Sequence, residues 1–332
     1  MIRSAVAQAV QVPRAAWSLR RFELLARGLK PRRPICLIYG NCQAEPIRAL
    51  LAGAPEFAER YEAVRIPPVH LISASQVAKL HRVVRVASLI VAQPIKDAYR
   101  GYPLGTGEVL ALAPDDCRVI RFPVLYYDAL YPFQVNLHID GRHAVQAPTT
   151  MYHDLRTLCA AAKGLRADAA LQWMSEYRPP DGALRGIAEK AVATLRERQS
   201  TSDITAIDSI ITAPGRQAQS FFTVNHPAGF VLERIACSVR AILGSATASD
   251  ARQSREPLGV FRTPLERPVI DALGLASEPA PDWVIKGKRI PAADVVRLHL
   301  RWYQRHPHVV EAGLLEHSQR IEGLRLLMPL SY

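Results

Sequence analysis

Residues 35–43, ICLIYGNCQ, combine a short apolar run with an abrupt turn. Five consecutive apolar or aromatic residues without polar alternation are typical of a strand buried in a parallel sheet. Gly40 ends the run, and a helical pattern then extends over residues 43–51. This strand, turn and helix place Cys42 at the carboxyl edge of a sheet, which is where open α/β sheets bind their ligands.

Strand and helix patterns continue to alternate beyond this segment. Further strands are predicted at residues 61–66, 85–92 and 118–122, and helices between them at residues 73–81 and 107–112. Such alternation is typical of a three-layer unit with helices on both faces of a parallel sheet. We therefore expect an α/β fold in which a parallel-sheet unit, residues 34–147, packs against a largely α-helical C-terminal half, residues 148–332, that completes the cleft.

The positive charge of the chain is concentrated near its N-terminus. The net charge is +12, and residues 1–34 alone carry eight basic residues and one acidic residue. A strongly basic chain often binds nucleic acid, but the remainder here is only mildly basic, so no nucleic-acid partner is expected. Residues 1–33 are predicted to be a separate, basic and amphipathic N-terminal segment.

Residues 15–30 within this segment can form an amphipathic helix. Leucine and phenylalanine side chains fall on one face, and Arg20 and Arg27 lie nearly opposite. Two interpretations are open. The helix docks on the body of the protein through its apolar face, or it makes a peripheral contact with the anionic inner face of the cytoplasmic membrane.

Composition and missing motifs exclude several classes of protein. Hydrophobic residues make up 49% of the chain, enough for a packed core, but no run of ~18 apolar residues predicts a membrane-spanning helix. The five cysteines include no C-x-x-C pair and residues 1–12 show no secretory signal, so we expect a cytoplasmic protein. Motifs of serine hydrolases, P-loop proteins and dinucleotide-binding proteins are missing, and no histidine cluster predicts a metal site.

Cys42 and the segment QPIKDAYR, residues 93–100, carry candidate chemistry. A cysteine at the start of a helix has a lowered pKa, because the helix dipole favours the thiolate, so Cys42 is a candidate nucleophile. The second segment follows the strongest predicted strand and reaches the same edge, where Lys96 and Arg100 can pair with phosphates. An ordinary buried cysteine and a solvated loop are the alternatives.

Two histidines are candidate bases. His226 precedes a helix whose first residue is expected to be Pro227, and the helix dipole there keeps the imidazole neutral and able to accept a proton. Asn225 is the alternative capping residue of that helix. His153 lies between a tyrosine and an aspartate that can orient it, and it is the second candidate.

Asp140 and His143 form a D-x-x-H pair, which is the spacing that SGNH esterases use for their acid and base. In that family the nucleophilic serine follows the first strand, and Cys42 occupies the matching place here. An SGNH-like carbohydrate esterase or deacetylase is therefore one alternative function. A binding protein of glycan assembly without catalytic activity is another.

Five short motifs, taken in order, resemble one protein family. They are Gly40-Asn41-Cys42-Gln43, Gln93-Pro94-Ile95, Tyr99-Arg100, Phe122-Pro123 and Asn225-His226-Pro227. In these motifs, which cover residues 34–245, the chain is similar to the WcbI-type capsular polysaccharide biosynthesis proteins, bacterial proteins proposed to be acetyltransferases. The resemblance implies a cleft for coenzyme A, acetyl-CoA as the donor, and a capsular sugar, free or lipid-linked, as the carbohydrate acceptor.

The motifs and the resemblance together predict one site. Its catalytic candidates are Cys42, His226 and His153, and its cofactor contacts are Gly40, Asn41, Gln43, Gln93, Lys96, Tyr99, Arg100 and Asn225. Two mechanisms are open. In one, Cys42 attacks acetyl-CoA and then passes the acetyl group to the sugar. In the other, His226 takes the proton of the sugar hydroxyl, which attacks the thioester directly.

Overall fold

A four-stranded parallel sheet forms the centre of the N-terminal half. The structure, a computed structural model, describes residues 19–139, 143–245 and 256–327, except for the side chain of His143. The strands are β1 (Ile35–Tyr39), β2 (Glu62–Val64), β3 (Ala87–Ala92) and β4 (Arg118–Arg121), in the order β2-β1-β3-β4. All neighbouring pairs are parallel, which confirms the predicted sheet.

Helices cover both faces of this sheet. Those described in the N-terminal half are α1 (Arg20–Ala26), α2 (Ala44–Ala52), α3 (Pro55–Arg60), α4 (Ala74–Val84) and α5 (Thr106–Leu110). One hydrophobic core contains α2 together with Cys36 and Ile38 of β1, and a second contains α1 and α4 together with Leu37 and Tyr39. Alternate residues of β1 thus point to opposite faces, and both faces are buried, which explains why the run ICLIY contains no charged residue.

The helix α1 is shorter than predicted, and it docks on the body of the protein. Phe22 is completely buried and Leu25 is 4% exposed, and both belong to the core that contains α4. At the surface, Glu23 pairs with Lys79 of α4 at 2.7 Å. Protein therefore covers the apolar side chains of α1, as the docked interpretation predicts, and the membrane contact through residues 15–30 stays a prediction. Residues 15–18 of the predicted helix lie outside the described residues.

Helices predominate in the C-terminal half, as predicted. They are α6 (Leu155–Ala162), α7 (Ala167–Glu176), α8 (Ala183–Ser200), α9 (Ile207–Ile211), α10 (Gly229–Ile242), α11 (Arg267–Leu273), α12 (Ala292–Tyr303), α13 (Pro307–Glu316) and α14 (Ser318–Gly323). The larger core joins this half to the sheet, since it extends from Cys36 on β1 to Leu326. In the part of the chain that the structure describes, no helix is long and apolar enough to cross a membrane.

Short antiparallel strands also occur where the sequence patterns predict none. They are β5 (Gln134–Val135), β6 (Leu137–Ile139), β7 (His143–Val145), β8 (His153–Asp154), β9 (Phe221–Thr223), β10 (His226–Pro227), β11 (Phe261–Arg262), β12 (Asp282–Ile285) and β13 (Lys288–Pro291). Strands of two to four residues are too short to show a two-residue period. Between β12 and β13, Lys286 and Gly287 have φ of 52° and 78°, which a tight hairpin turn requires.

Candidate functional site

The segments that follow β1, β2 and β3 meet at the carboxyl edge of the sheet. The backbone C=O of Gly40, after β1, accepts a hydrogen bond from the N–H of Val69, after β2, at 2.9 Å. The N–H of Gln93, after β3, donates to the C=O of Tyr39 at 2.8 Å. Motifs that are far apart in the sequence are therefore neighbours in the fold.

Two glutamine side chains hold these segments together. Gln93 donates from Nε2 to Oε1 of Gln43 at 2.7 Å, and its own Oε1 accepts from the N–H of Asn41 at 2.9 Å. Gln43 donates from Nε2 to the backbone carbonyls of Leu125 at 2.6 Å and of Asn225 at 2.8 Å. Gln43 thus joins the loop after β1 to the loop after β4 and to the turn between β9 and β10.

The side chains of Gln43 and Gln93 are structural rather than exposed to a ligand. Neither side chain has exposed surface, and protein groups occupy their amide donors and acceptors. Gly40 is buried as well, and a Cβ at this position would collide with Oε1 of Gln93. These three residues therefore offer no free side-chain group to a cofactor, and their contact with it stays a prediction. They position the loop that carries Asn41 and Cys42.

Cys42 lies half-buried on this loop and has a free thiol. The helix α2 begins at Ala44, so Cys42 precedes the helix instead of starting it. Burial raises the pKa of the thiol to about 12, and a backbone hydrogen bond opposes this only in part. The thiol is protonated at neutral pH, and the prediction of a thiolate is wrong for this structure.

His226 is neutral, but for a different reason from the one predicted. It lies in β10, and α10 begins only at Gly229, so Pro227 is not the first helical residue. The imidazole is 5% exposed, and its Nδ1 has no hydrogen-bond partner within the described residues. Burial, and secondarily the nearby His70, lowers the pKa of His226 to about 4. Burial, and not a helix dipole, therefore keeps this imidazole neutral.

His153 is a core residue. The C=O of Val145 accepts a hydrogen bond from its Nε2 at 3.0 Å, so its Nδ1 accepts from the hydroxyl of Tyr303 at 2.6 Å. Burial lowers the pKa of His153 to about 4. Protein groups engage both ring nitrogens, which argues against the predicted catalytic role of His153. Asp140 and the side chain of His143, the alternative pair, lie outside the described residues.

His70 is a site residue that the sequence patterns miss. It follows β2 in a 3₁₀ turn, Val69–Leu71, and its exposed imidazole makes no hydrogen bond to the described residues. Arg100, after β3, donates from Nη1 to the C=O of His70 at 2.6 Å. Desolvation, and then the charge of Arg100, lowers the pKa of His70. The strand-end argument that selects Cys42 applies equally to the residues after β2, and it would have selected His70.

The loop after β3 carries the predicted phosphate contacts. Lys96 and Arg100 are exposed, and Tyr99 is half-buried against the core that contains α1. Ala98 and Arg100 have φ of 52° and 58°, a left-handed backbone that costs about 1–2 kcal/mol for such residues. Strained backbone of this kind clusters at functional sites.

Asn225 and Tyr152 bring the C-terminal half to the edge. The hydroxyl of Tyr152 donates to Oδ1 of Asn225, and Cys42 is close enough to contribute to the raised pKa of that hydroxyl. Burial is the main cause of that raised pKa. The amide nitrogen of Asn225 makes no hydrogen bond to the described residues, so it is free to donate to a ligand.

The edge therefore gathers four different groups: a thiol, an open imidazole, a guanidinium and an amide donor. They belong to Cys42, His70, Arg100 and Asn225. Such a set can bind an anionic ligand, transfer a proton and donate hydrogen bonds to a polarised oxygen. Among the described residues, no group of three or more histidine, cysteine, aspartate or glutamate side chains could hold a metal ion.

Comparison with known proteins gives a family match and a fold. The family model described as polysaccharide biosynthesis enzyme WcbI matches residues 35–247, more than half of the chain. A solved structure of WcbI, described as a novel polysaccharide biosynthesis enzyme, matches with a TM-score of 0.72 at 19% identity and covers 90% of this chain and 100% of that chain. It is described as native protein without a disulfide bond between coenzyme A and one of its cysteines. No curated protein matches the chain.

Proposed function

Since the chain belongs to the WcbI family of polysaccharide biosynthesis enzymes, we propose that it is a coenzyme A-dependent O-acetyltransferase that acts on a sugar hydroxyl. The observation that carries the proposal is the meeting of Cys42, His70, Arg100 and Asn225 at the carboxyl edge of the sheet. These groups supply a cation for phosphate, a base and a hydrogen-bond donor. The family match supports a carbohydrate as the acceptor.

Coenzyme A suits the residues at this edge. Its phosphates require cations, which Lys96 and Arg100 present on an exposed loop. Its thiol end fits beside Cys42, the one of the five cysteines that follows a strand of the sheet. The related WcbI structure, described as native protein without a disulfide bond between coenzyme A and one of its cysteines, supports a cysteine close to bound coenzyme A. When bound, acetyl-CoA supplies the acetyl group as a thioester.

We assign His70 as the general base. A base is most effective when its pKa is near the operating pH, and the pKa of about 4 makes His226 a weak base at neutral pH. His70 is an exposed residue, and its ring nitrogens make no hydrogen bond to the described residues. His70 takes the proton of the sugar hydroxyl, while His226 lies buried beside it as a neutral neighbour.

The protonated thiol of Cys42 favours direct transfer over a covalent route. A nucleophilic cysteine must lose its proton, and the pKa of about 12 opposes this at neutral pH. Cys42 therefore lines the position of the thioester without attacking it. The free amide nitrogen of Asn225 donates a hydrogen bond to the carbonyl oxygen as negative charge develops there.

The substitution Arg100→Ala tests the site. Affinity for coenzyme A, measured by calorimetry, should fall about ten- to a hundredfold, because a charge-assisted hydrogen bond is worth ~1.5–3 kcal/mol. The matched control is Arg85→Ala, an exposed arginine that precedes β3 at the opposite edge, and it should leave the affinity unchanged.

Three outcomes would contradict the proposal. Unchanged affinity in Arg100→Ala removes this residue from the site. Release of acetate from an acetylated glycan without coenzyme A favours the esterase alternative. Failure of the wild-type chain to bind coenzyme A leaves the esterase and the non-catalytic binding protein.

A further inference from the structure

A cleft of about 440 Å³ lies away from the carboxyl edge, in the C-terminal half. Its walls come from the end of α7 and the residues after it, from the start of α11, and from Arg156 of α6 with Phe133. The volume falls within the ~300–1,000 Å³ of small-molecule sites. None of the groups assigned to acetyl transfer lines it, so any ligand of this cleft is separate from the acetyl group or is a different part of the same substrate.

The floor of the cleft is a rigid charged network. Arg156 donates from Nη1 and Nη2 to both carboxylate oxygens of Glu266, at 2.7 and 2.6 Å, and from Nη2 to Asp154 at 2.8 Å. Its guanidinium lies 4.0 Å from the centre of the Phe133 ring, and its side chain is only 8% exposed. Bidentate pairs of this kind fix geometry, so the floor presents its polar groups in one arrangement.

Two buried oxygens beside the floor lack partners. A small cavity of about 10 Å³ shares Phe133 and Glu266 with the cleft and is also lined by Gln134 and Thr263. Gln134 Oε1 and Thr263 Oγ1 have no hydrogen-bond partner in the described residues, although the two residues are 4% and 5% exposed. The cavity has the size of one water molecule or one hydroxyl group. An unpaired buried oxygen is unfavourable by ~1–3 kcal/mol, so a ligand hydroxyl would relieve it.

The rim offers both donors and acceptors. Arg178, after α7, lines the cleft and donates from Nη1 to nearby backbone carbonyls, and its other donors have no partner among the described residues. Asp271 of α11 is exposed, and its carboxylate has no partner among the described residues. Tyr177 and Pro179 add apolar surface between these polar groups.

We propose that this cleft binds one sugar unit of the acceptor glycan, which rests on the function proposed above. Sugar hydroxyls donate and accept hydrogen bonds, which matches a lining of arginines, carboxylates and unpaired oxygens. The apolar face of a sugar ring suits the aromatic and proline surface. A phosphate would meet the carboxylates of Glu266 and Asp271, and a purely apolar ligand would leave the charges of the lining unpaired.

The cleft is near enough to the carboxyl edge to hold the same glycan. The ring of Phe261 in β11 lies 6.4 Å from the ring of His226. Thr263 at the small cavity is two residues further along, about 7 Å at the ~3.3 Å rise of a strand. This path through β11 links the small cavity to the neighbourhood of the carboxyl edge. We therefore expect the acceptor to be an oligosaccharide that is held at both places.

Saturation-transfer NMR on the full chain tests this inference. The probes are methyl α-D-mannoside, methyl β-D-glucoside and methyl β-D-galactoside at tens of millimolar, with inorganic phosphate as competitor. The rim variant Arg178→Ala/Asp271→Ala should weaken the best-bound sugar at least about tenfold. The control variant Arg85→Ala/Asp115→Ala makes the same charge changes at exposed residues elsewhere and should bind as the wild type does.

The outcomes separate this inference from the proposed acetyl transfer. Coenzyme A affinity of the rim variant should equal that of the wild type, and absence of coenzyme A binding in the wild type would refute the transferase but not the cleft. The cleft proposal is overturned if no sugar binds, if the rim variant binds sugar normally, or if His70→Ala abolishes sugar binding instead. The proposal is also overturned if phosphate displaces the sugar from the wild type but not from the rim variant. That result would show that the cleft is an anion site.

Discussion

His70 and His226 are neighbouring imidazoles in opposite surroundings. One is exposed beside the charge of Arg100, and the other is buried with an unpaired Nδ1. Proton transfer with a substrate requires an accessible nitrogen whose pKa is near the operating pH. His70 satisfies the first condition, which is accessibility. His226 is neither accessible nor close in pKa to the operating pH.

Replacing His70 by Ala should lower kcat for acetyl transfer by about 10²–10⁴-fold, which is the usual contribution of a general base. Coenzyme A affinity should stay unchanged, because no phosphate contact is removed. The matched variant His226→Asn should retain activity within about tenfold. Since the pKa of His70 lies below its usual 6.5, wild-type activity should decline only as pH falls below that value. Loss of activity in His226→Asn alone would reverse the assignment.

Cys42 should be slow to alkylate. At pH 7.5 iodoacetamide should modify it at least about a hundredfold more slowly than free N-acetylcysteine, because the thiolate reacts and the pKa is raised far above ~8.5. Peptide mass spectrometry measures the rate, and the same cysteine in urea-unfolded chain is the control. Cys42→Ser should keep acetyl transfer. An acetyl adduct on Cys42 after incubation with acetyl-CoA, chased off by glycan, would restore the covalent route.

For individual residues, the sequence predicts where a side chain lies in the fold better than it predicts the burial and contacts of that side chain. Cys42 and Arg100 are found at the sheet edge because the ends of short apolar strands are visible in the sequence. The pKa of Cys42 depends on desolvation by the folded chain, and even its neighbour Tyr152 lies far away in the sequence. The same limit explains His153, whose partners Val145 and Tyr303 become visible only in the fold.

Among the elements, α1 contributes more to the free energy of unfolding than its position near the N-terminus suggests. Phe22→Ala should lower the free energy of unfolding by about 3–5 kcal/mol, because it empties a fully buried position beside α4. Leu29→Ala is the control. Leu29 is 45% exposed, so this substitution should lower the free energy of unfolding by less than about 1 kcal/mol. Urea unfolding measures both. Equal effects would mean that α1 does not dock as described.

Long elements are more predictable than short ones. The strands β1 and β3 and helices such as α8 and α12 have enough residues to show their period. The two-residue strand β10 has no such signal, and Pro227 therefore suggested a helix start that lies at Gly229 instead. Its pairing with β9 depends on tertiary structure. The position of His226 depends on this pairing.

For the whole molecule, three buried histidines predict how stability depends on pH. His153, His226 and His299 each have a pKa lowered to about 4, with burial as the main cause. The unfolded chain, with the usual value of 6.5, takes up protons first as pH falls. Stability is therefore full above pH 6.5 and declines towards pH 4, by roughly 3 kcal/mol for each histidine.

His299→Gln should reduce the slope of the free energy of unfolding near pH 5 by about 1.4 kcal/mol per pH unit, the value for one proton. Urea titrations at several pH values measure the slope. Thr149→Val is the control, because it removes the 3.2 Å hydrogen bond to His299 without removing a titrating group. An unchanged slope in His299→Gln would show that this histidine titrates normally in the folded protein.

The hydrogen bonds of the Gln43 side-chain amide also determine how much of the chain must be synthesised before the site is complete. Its partner carbonyl at Asn225 lies 182 residues later in the chain. At a synthesis rate of ~5–20 residues per second, the ribosome takes roughly ten to forty seconds to make that distance. During this time the parallel sheet can form, but the loop that carries Cys42 lacks the hydrogen bond from Gln43 to Asn225. We therefore expect a chain that ends before Asn225 to lack the complete site, which forms only once both halves have been translated.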